Sequence, residues 1–239
     1  MENAKIIGVL GGLGPLATER FFSLVLRETV ATRDQDYPDL VIVNRSSTPD
    51  RTACLRSGGL MESPARKMAE DARRLENAGC AAIVIPCNTS HSWYDEVAGA
   101  VRIPVVHLIR LVVEEGRRRG MSVLGVLATE GTRIGRLYDK EAEALGMRCL
   151  YPDEAGQAAV NRVIYDAVKA GKPASETDLT GVFDELRRRG CDGLVLGCTE
   201  LPIAYRELRL AGRYPEALDS LRILARKTVE LSGKRLRRE

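Results

Sequence analysis

Aromatic side chains are scarce, at 5% of 239 residues, and charge is nearly balanced, with 36 basic residues against 33 acidic. Such a chain has neither the stacking rings nor the basic surplus that hold a nucleic acid. Its basic clusters, Arg117-Arg118-Arg119 and Arg187-Arg188-Arg189, each run into a glycine, Gly120 and Gly190. They read as helix C-termini, where cations complement the helix dipole and glycine closes the last turn. No apolar run approaches bilayer-spanning length, so no membrane segment is expected. No signal peptide is expected either, because Met1-Glu2-Asn3-Ala4-Lys5 leads straight into a predicted strand. The six cysteines (54, 80, 87, 149, 191 and 198) have neither paired C-x-x-C spacing nor the density of a disulfide scaffold. That excludes a zinc ribbon and a secreted disulfide framework, and places the chain, with reduced thiols, in the cytoplasm. The G-x-G-x-x-G spacing of a dinucleotide site is also missing.

What is present is one pattern stated nearly twice. Ile83-Val84-Ile85-Pro86-Cys87-Asn88-Thr89-Ser90-His91 is echoed by Leu194-Val195-Leu196-Gly197-Cys198-Thr199-Glu200-Leu201. Each is a short apolar run ending on a cysteine and polar capping residues, which reads as a buried parallel strand delivering its last residue to the sheet's carboxyl edge. Ligands of open α/β folds bind at that edge. Gly79-Cys80 precedes the first run and Gly190-Cys191 the second, and the interval from Cys80 to Cys87 recurs from Cys191 to Cys198. Upstream, Ile7-Gly8-Val9-Leu10-Gly11-Gly12 is matched by Leu124-Gly125-Val126-Leu127-Ala128-Thr129. Two signals in the same order point to an internal duplication. Two thiols delivered by related halves suggest chemistry performed from two sides of one substrate.

The rest of the chain alternates strand and helix. Strands are expected at Lys5–Leu10, Leu40–Asn44, Val105–His107, Ser122–Ala128, Met147–Leu150 and Pro215–Asp219. Helices are expected at Leu16–Thr32, Glu62–Ala78, from about Ser90, at Leu108–Arg119, from Thr132 to about Gly146, and over Glu154–Ala170, Glu176–Arg189, Leu201–Leu208 and Ser220–Leu231. The alternation predicts an α/β fold with parallel sheets covered by helices. Gly11-Gly12-Leu13-Gly14-Pro15 is a tight turn whose backbone N–H groups can approach a ligand, or a plain strand-to-helix turn. Arg45-Ser46-Ser47-Thr48-Pro49-Asp50-Arg51-Thr52 is a polar loop at a strand's carboxyl end, with an arginine able to fork onto a carboxylate.

The glycine turn, Pro49-Asp50-Arg51-Thr52, Pro86-Cys87-Asn88-Thr89-x-His91 and Gly197-Cys198-Thr199-Glu200 resemble the aspartate/glutamate racemase family, in order and over almost the whole chain. The nearest resemblance is to its cofactor-independent aspartate racemases. The resemblance implies two pseudo-symmetric α/β lobes, 1–106 with 214–239 and 107–213, with the active site in the cleft between them, and a homodimer. It also implies Cys87 and Cys198 as catalytic acid and base, and no cofactor, in particular no pyridoxal lysine. Leu13 stands where relatives commonly carry methionine, which matters little if its backbone N–H makes the contact.

Racemisation fits two thiols because one group must remove the α-proton from one face while another supplies a proton to the other. A free thiol titrates near pH 8.5, close enough to neutrality to be either. Helix N–H groups after each cysteine are expected to lower its pKa. Asn88, Thr89 and Thr199 are candidates for the substrate's α-carboxylate, and Leu13 is a substrate-binding candidate through its backbone N–H. The resemblance implies Arg51 and Lys169 for the distal carboxylate of a small acidic amino acid; by local context alone Arg51 reads as an exposed arginine and Lys169 as a solvated helix-end lysine. Glu200 either orients Cys198 or binds the ammonium; His91 either tunes the Cys87 thiolate or caps and packs the turn. Nothing in the pattern calls for a metal. A glutamate or broader-specificity racemase, a non-catalytic diacid-binding protein and a two-cysteine redox switch remain as alternatives.

Overall fold

The computed structural model describes residues 5–238. The chain divides into two compact units, Met1–Leu108 with Leu221–Glu239, and Ile109–Ser220.

In the first unit β1 (Ile7–Gly11) is the middle of a three-stranded parallel sheet ordered β2-β1-β3, with β2 at Leu40–Asn44 and β3 at Ala82–Val84. Ile7 lies opposite both Leu40 and Ala82. β1 is buried throughout, whereas the edge strand β2 leaves Ile42 and Asn44 exposed. Helix α1 (Pro15–Glu28) starts on a proline, which suits a first-turn position without an N–H partner. The polar loop contains a short helix, α2 (Arg51–Arg56), capped by the Asp50 side chain accepting from the Ala53 N–H. Helix α3 (Ala65–Asn77) presents Met68, Ala72 and Leu75 to Leu10, Ile83 and Ile85. Each large apolar side chain buried there stabilises the fold by about 1.5–3 kcal/mol. Helix α4 (Tyr94–Ala98) follows. The strand expected at Val105–His107 is a single parallel bridge from Val105 to Ile83, because Pro104 has no N–H to donate and the chain turns into α5 (Leu108–Arg118).

The second unit holds four parallel strands, β4 (Val123–Ala128), β5 (Arg148–Leu150), β6 (Gly193–Gly197) and β7 (Ala217–Asp219), in the order β5-β4-β6-β7. The helix expected up to Gly146 is two, α6 (Glu130–Ile134) and α7 (Leu137–Ala144), parted at Arg136, whose φ of 49° is left-handed. The helix expected over Glu154–Ala170 is α8 (Glu154–Asn161), then a π-helical turn at Arg162–Ala167 and a 3-10 turn at Val168–Ala170. Helices α9 (Glu176–Arg188) and α10 (Leu201–Glu207) complete the unit, with Val160, Ile164, Phe183, Leu186, Leu196 and Tyr214 among its core.

The two first strands share a packing detail. A Cβ at Gly8 would stand 3.1 Å from Leu75 and 3.2 Å from the Cys80 sulfur; one at Gly125 would stand 3.0 Å from Leu186 and 3.1 Å from the Cys191 sulfur. Each glycine lets a helix leucine and the Gly-Cys turn press against the first strand of its half.

Helix α11 (Ser220–Leu231) returns to the first unit. Arg222 and Arg226 bond the buried Glu28 carboxylate at 2.6 and 2.8 Å and hold its pKa down against the burial that raises it. Leu236 bridges Thr29, and the Val30 and Arg237 N–H groups bond the Arg235 and Glu28 carbonyls.

Candidate active site

Cys87 follows β3 after Ile85 and Pro86, with its N–H bonded back to the Ile85 carbonyl at 2.8 Å. Cys87, Asn88, Thr89, Ser90 and His91 are all buried. The chain after Cys87 is a 3-10 turn over Thr89–Trp93, so the His91 N–H bonds the Asn88 carbonyl. His91 does not spend its ring on the thiol: Nδ1 lies 2.9 Å from the Cys87 carbonyl oxygen, and Nε2 accepts the Leu108 N–H at 3.0 Å. Burial first, then the neighbouring His107, push its pKa down to about 4.

The glycine turn and α2 are joined by Arg51. Its Nη2 donates to the Leu13 carbonyl at 2.7 Å, and its Nη1 to the carbonyls of Pro49 at 3.0 Å and Thr48 at 3.4 Å. Gly12, at φ 78°, has no room for a side chain because the Arg45 backbone runs against it. Its N–H is taken by Thr18 Oγ1 at 2.9 Å, so this amide of the turn serves the fold.

Cys198 follows β6 directly. Gly197 precedes it because a Cβ there would lie 3.0 Å from the Leu127 carbonyl and 3.1 Å from the buried Tyr138 ring. The Cys198 thiol donates to Glu200 Oε2 at 2.9 Å, and the Thr199 hydroxyl donates to the same oxygen at 3.1 Å. Lys169 Nζ sits 3.8 Å from the other oxygen, Oε1, and 4.9 Å from the Tyr165 ring centre. The Glu200 N–H does lower this thiol's pKa, as expected, but the net shift is upward. Burial first, then the facing Glu200 carboxylate, raise it far above the ordinary range, outweighing Lys169 and the Glu200 N–H. Cys198 therefore rests as a protonated thiol with its hydrogen aimed at a carboxylate, the arrangement of an acid that can hand its proton over.

The second unit thus brings Cys198, Thr199, Glu200 and Lys169 into one cluster, and the first brings Leu13 to Arg51 and gathers Cys87, Asn88 and Thr89 with His91. The sequence reading missed Tyr165, which flanks Lys169, because a π turn leaves no periodic signal. It also missed the Tyr94–His107 packing on His91, with ring centres 4.4 Å apart between Tyr94 and His107. Among the described residues no group of three or more His, Cys, Asp or Glu is placed to hold a metal, and no helix is long and apolar enough to cross a membrane.

Residues 10–228 match the family model for Asp/Glu/hydantoin racemases. The chain is 28% identical to the broad specificity amino-acid racemase RacX of Bacillus subtilis over 233 residues, 94% of this chain and 96% of that one. It is 32% identical to the glutamate racemase of Deinococcus radiodurans over 153 residues, 61% of this chain and 49% of that one. The solved Picrophilus torridus aspartate racemase superposes with a TM-score of 0.81 at 27% identity, over 98% of this chain and 96% of that one. With its two parallel sheets and both cysteine motifs inside the matched span, the chain belongs to the Asp/Glu/hydantoin racemase family.

Proposed function

We propose that this protein interconverts the L- and D-forms of a small acidic amino acid, aspartate foremost, through Cys87 and Cys198 and without a cofactor. The observation that carries the reading is the Cys198–Glu200 pair, a thiol already donating to a carboxylate at 2.9 Å, just past the strand that repeats the one delivering Cys87. In the reaction one thiolate takes the α-hydrogen as a proton, and the bonding pair left behind spreads into the α-carboxylate. The opposite thiol then delivers its proton to the other face, and the two sulfurs end with their protonation states exchanged. Glu200 holds the Cys198 proton and accepts it when that sulfur must become the base. Leu13, Asn88, Thr89 and Thr199 serve the α-carboxylate through N–H and O–H donors; Arg51 and Lys169 serve the distal one. The reading includes a cytoplasmic homodimer.

A second reading, broader specificity, is favoured by Arg51. Both of its Nη groups are already bonded to backbone carbonyls, which leaves less of the guanidinium for a distal carboxylate. A panel of pure L- and D-amino acids incubated in deuterium oxide with no added cofactor tests both. Racemisation of aspartate with α-deuterium incorporation supports the first reading. Equal turnover of uncharged amino acids supports the second, and no exchange on any substrate sinks both.

A further inference from the structure

We infer that His91 is a positioning residue for Cys87: its imidazole replaces the backbone hydrogen bond that the Cys87 carbonyl lacks, and so fixes the peptide that joins the thiol-bearing residue to Asn88. The inference rests on the racemase reading and extends it to a side chain that acts through the Cys87 backbone.

In an α-helix the Cys87 carbonyl would accept the His91 N–H. Here the turn is 3-10 and that N–H goes to the Asn88 carbonyl at 3.0 Å. A buried carbonyl without a partner is costly, and His91 Nδ1 supplies one at 2.9 Å from the same residue whose amide was diverted. The opposite nitrogen settles the tautomer. Leu108 opens α5 and its N–H has no intrahelical acceptor; it donates to Nε2 at 3.0 Å, which favours a bare Nε2 even with the Val106 and Asn88 carbonyls also near the ring. The ring proton therefore lies on Nδ1, pointing at the Cys87 carbonyl. An imidazolium would set an N–H against the Leu108 N–H, and the low pKa of about 4 accords with a ring held neutral. Tyr94 stacks within 10° of parallel with its centre 6.1 Å away, and the His107 ring centre lies at 5.1 Å. Tyr94 is itself pinned through its hydroxyl to the Val105 carbonyl at 2.9 Å.

The functional consequence follows from peptide planarity. The Cys87 C=O and the Asn88 N–H share one rigid plane and point in opposite directions. Clamping the carbonyl therefore aims the Asn88 N–H and sets the torsion from which the Cys87 side chain departs. The equivalent place after Cys198 is Pro202, whose ring has no N–H to donate, so the device belongs to the first half alone.

The test separates the two ring nitrogens in the full-length protein. His91→Asn places an amide N–H near the Nδ1 position, His91→Gln places a carbonyl near the Nε2 position, and His91→Phe keeps a ring with neither bond. The expected kcat falls about 10- to 100-fold in the Phe variant, as for an unsatisfied buried carbonyl. It recovers to within about threefold of wild type in Asn but not in Gln, and KM changes less than kcat in all three. A Gln variant that recovers as well as Asn, or a Phe variant with wild-type kcat, overturns the inference and leaves His91 as packing at the start of α5. The ring nitrogen shifts of wild-type His91 near neutral pH give a readout independent of turnover. A proton on Nδ1 and a bare Nε2 support the clamp; imidazolium or an Nε2–H tautomer overturns it. If wild type racemises no amino acid, the racemase reading fails and the positioning role with it, while the nitrogen shifts still decide whether the clamp exists.

Discussion

The two strand-end cysteines sit in matching frames and unequal company. In both halves a glycine on the first strand admits a helix leucine and a Gly-Cys turn, Gly8 with Leu75 and Cys80, Gly125 with Leu186 and Cys191. Beyond the cysteines the halves part. Two residues on stand Thr89 and Glu200; four residues on stand His91 and Pro202. One cysteine has its backbone held by an imidazole, and the other has its proton held by a carboxylate. The two halves share the scaffold and differ in their acid–base surroundings. A reaction that needs one sulfur charged while the other is neutral is better served by such inequality than by two identical sites.

Replacing the sulfurs should have the largest effect. Cys87→Ala and Cys198→Ala should each lower racemisation about a thousandfold or more, since each removes one of two acid–base groups. Circular dichroism should be unchanged, and Ser replacements should be nearly as damaging because a hydroxyl is far too weak an acid near neutral pH. If either variant keeps more than a few per cent of activity, the two halves are not both catalytic. If aspartate binds without being turned over and Cys87→Ser leaves its affinity unchanged, the protein is a diacid-binding protein.

Arg51→Ala should lower kcat/KM for aspartate by about one to two decades, the worth of a hydrogen bond to a charged group. Arg51→Lys should recover only part of that, because an ammonium lacks the planar fork. The preference for aspartate over alanine should narrow as well. An unchanged preference would move recognition of the distal carboxylate to the Lys169 half, leaving Arg51 as the tie between the Leu13 carbonyl and its own loop.

Glu200→Gln sharpens the contrast between the thiols. It should lower kcat about tenfold, because the amide cannot take the Cys198 proton. It should also bring the Cys198 titration down, since the carboxylate is part of what raises it. Ultraviolet thiolate absorbance against pH reads this directly. A titration that stays put would mean burial alone sets the Cys198 proton.

The smallest expected effect is on stability in acid. The His91 pKa is depressed in the folded state to about 4 from an ordinary value near 6.5. The unfolded chain therefore binds the extra proton, and the contribution is complete above about pH 6.5 and lost as pH falls toward 4. The loss should reach about 1–2 kcal/mol near pH 5. Denaturant melts of wild type and His91→Asn should converge on acidification. Parallel curves would show that His91 does not carry the acid sensitivity.

What the sequence exposed and what it hid divide along physical lines. The cysteine strands were legible because a buried strand is a short apolar run and the cysteine ends it. The glycine turn was legible from its spacing, although only structure shows Thr18 occupying the Gly12 amide. Helix α2 was hidden because Arg51–Arg56 has no apolar period, and only the Asp50 cap marks its start. Four residues apart in the expected helix, Tyr165 and Lys169 are already neighbours, but nothing in the letters shows that they meet beside Glu200. For His91, four residues of separation fit a bond to the thiol or to the carbonyl equally well, and only the 3-10 course of the turn decides.

The clasp of Glu28 by Arg222 and Arg226 has a bearing on synthesis. Residues 109–220 form an unbroken stretch, so the second unit has its whole core to hand once that stretch has left the ribosome. The first unit, although translated earlier, must wait. Until α11 and the segment through Arg237 emerge, Glu28 lacks both its cations, and Thr29 lacks its bridge to Leu236. Its sheet and the α3 face packed on it lie within the first stretch, so what waits is the end of α1 and its carboxylate. The unit that begins the chain is therefore the one that finishes folding last, and the one most in need of shelter while the message is still being read.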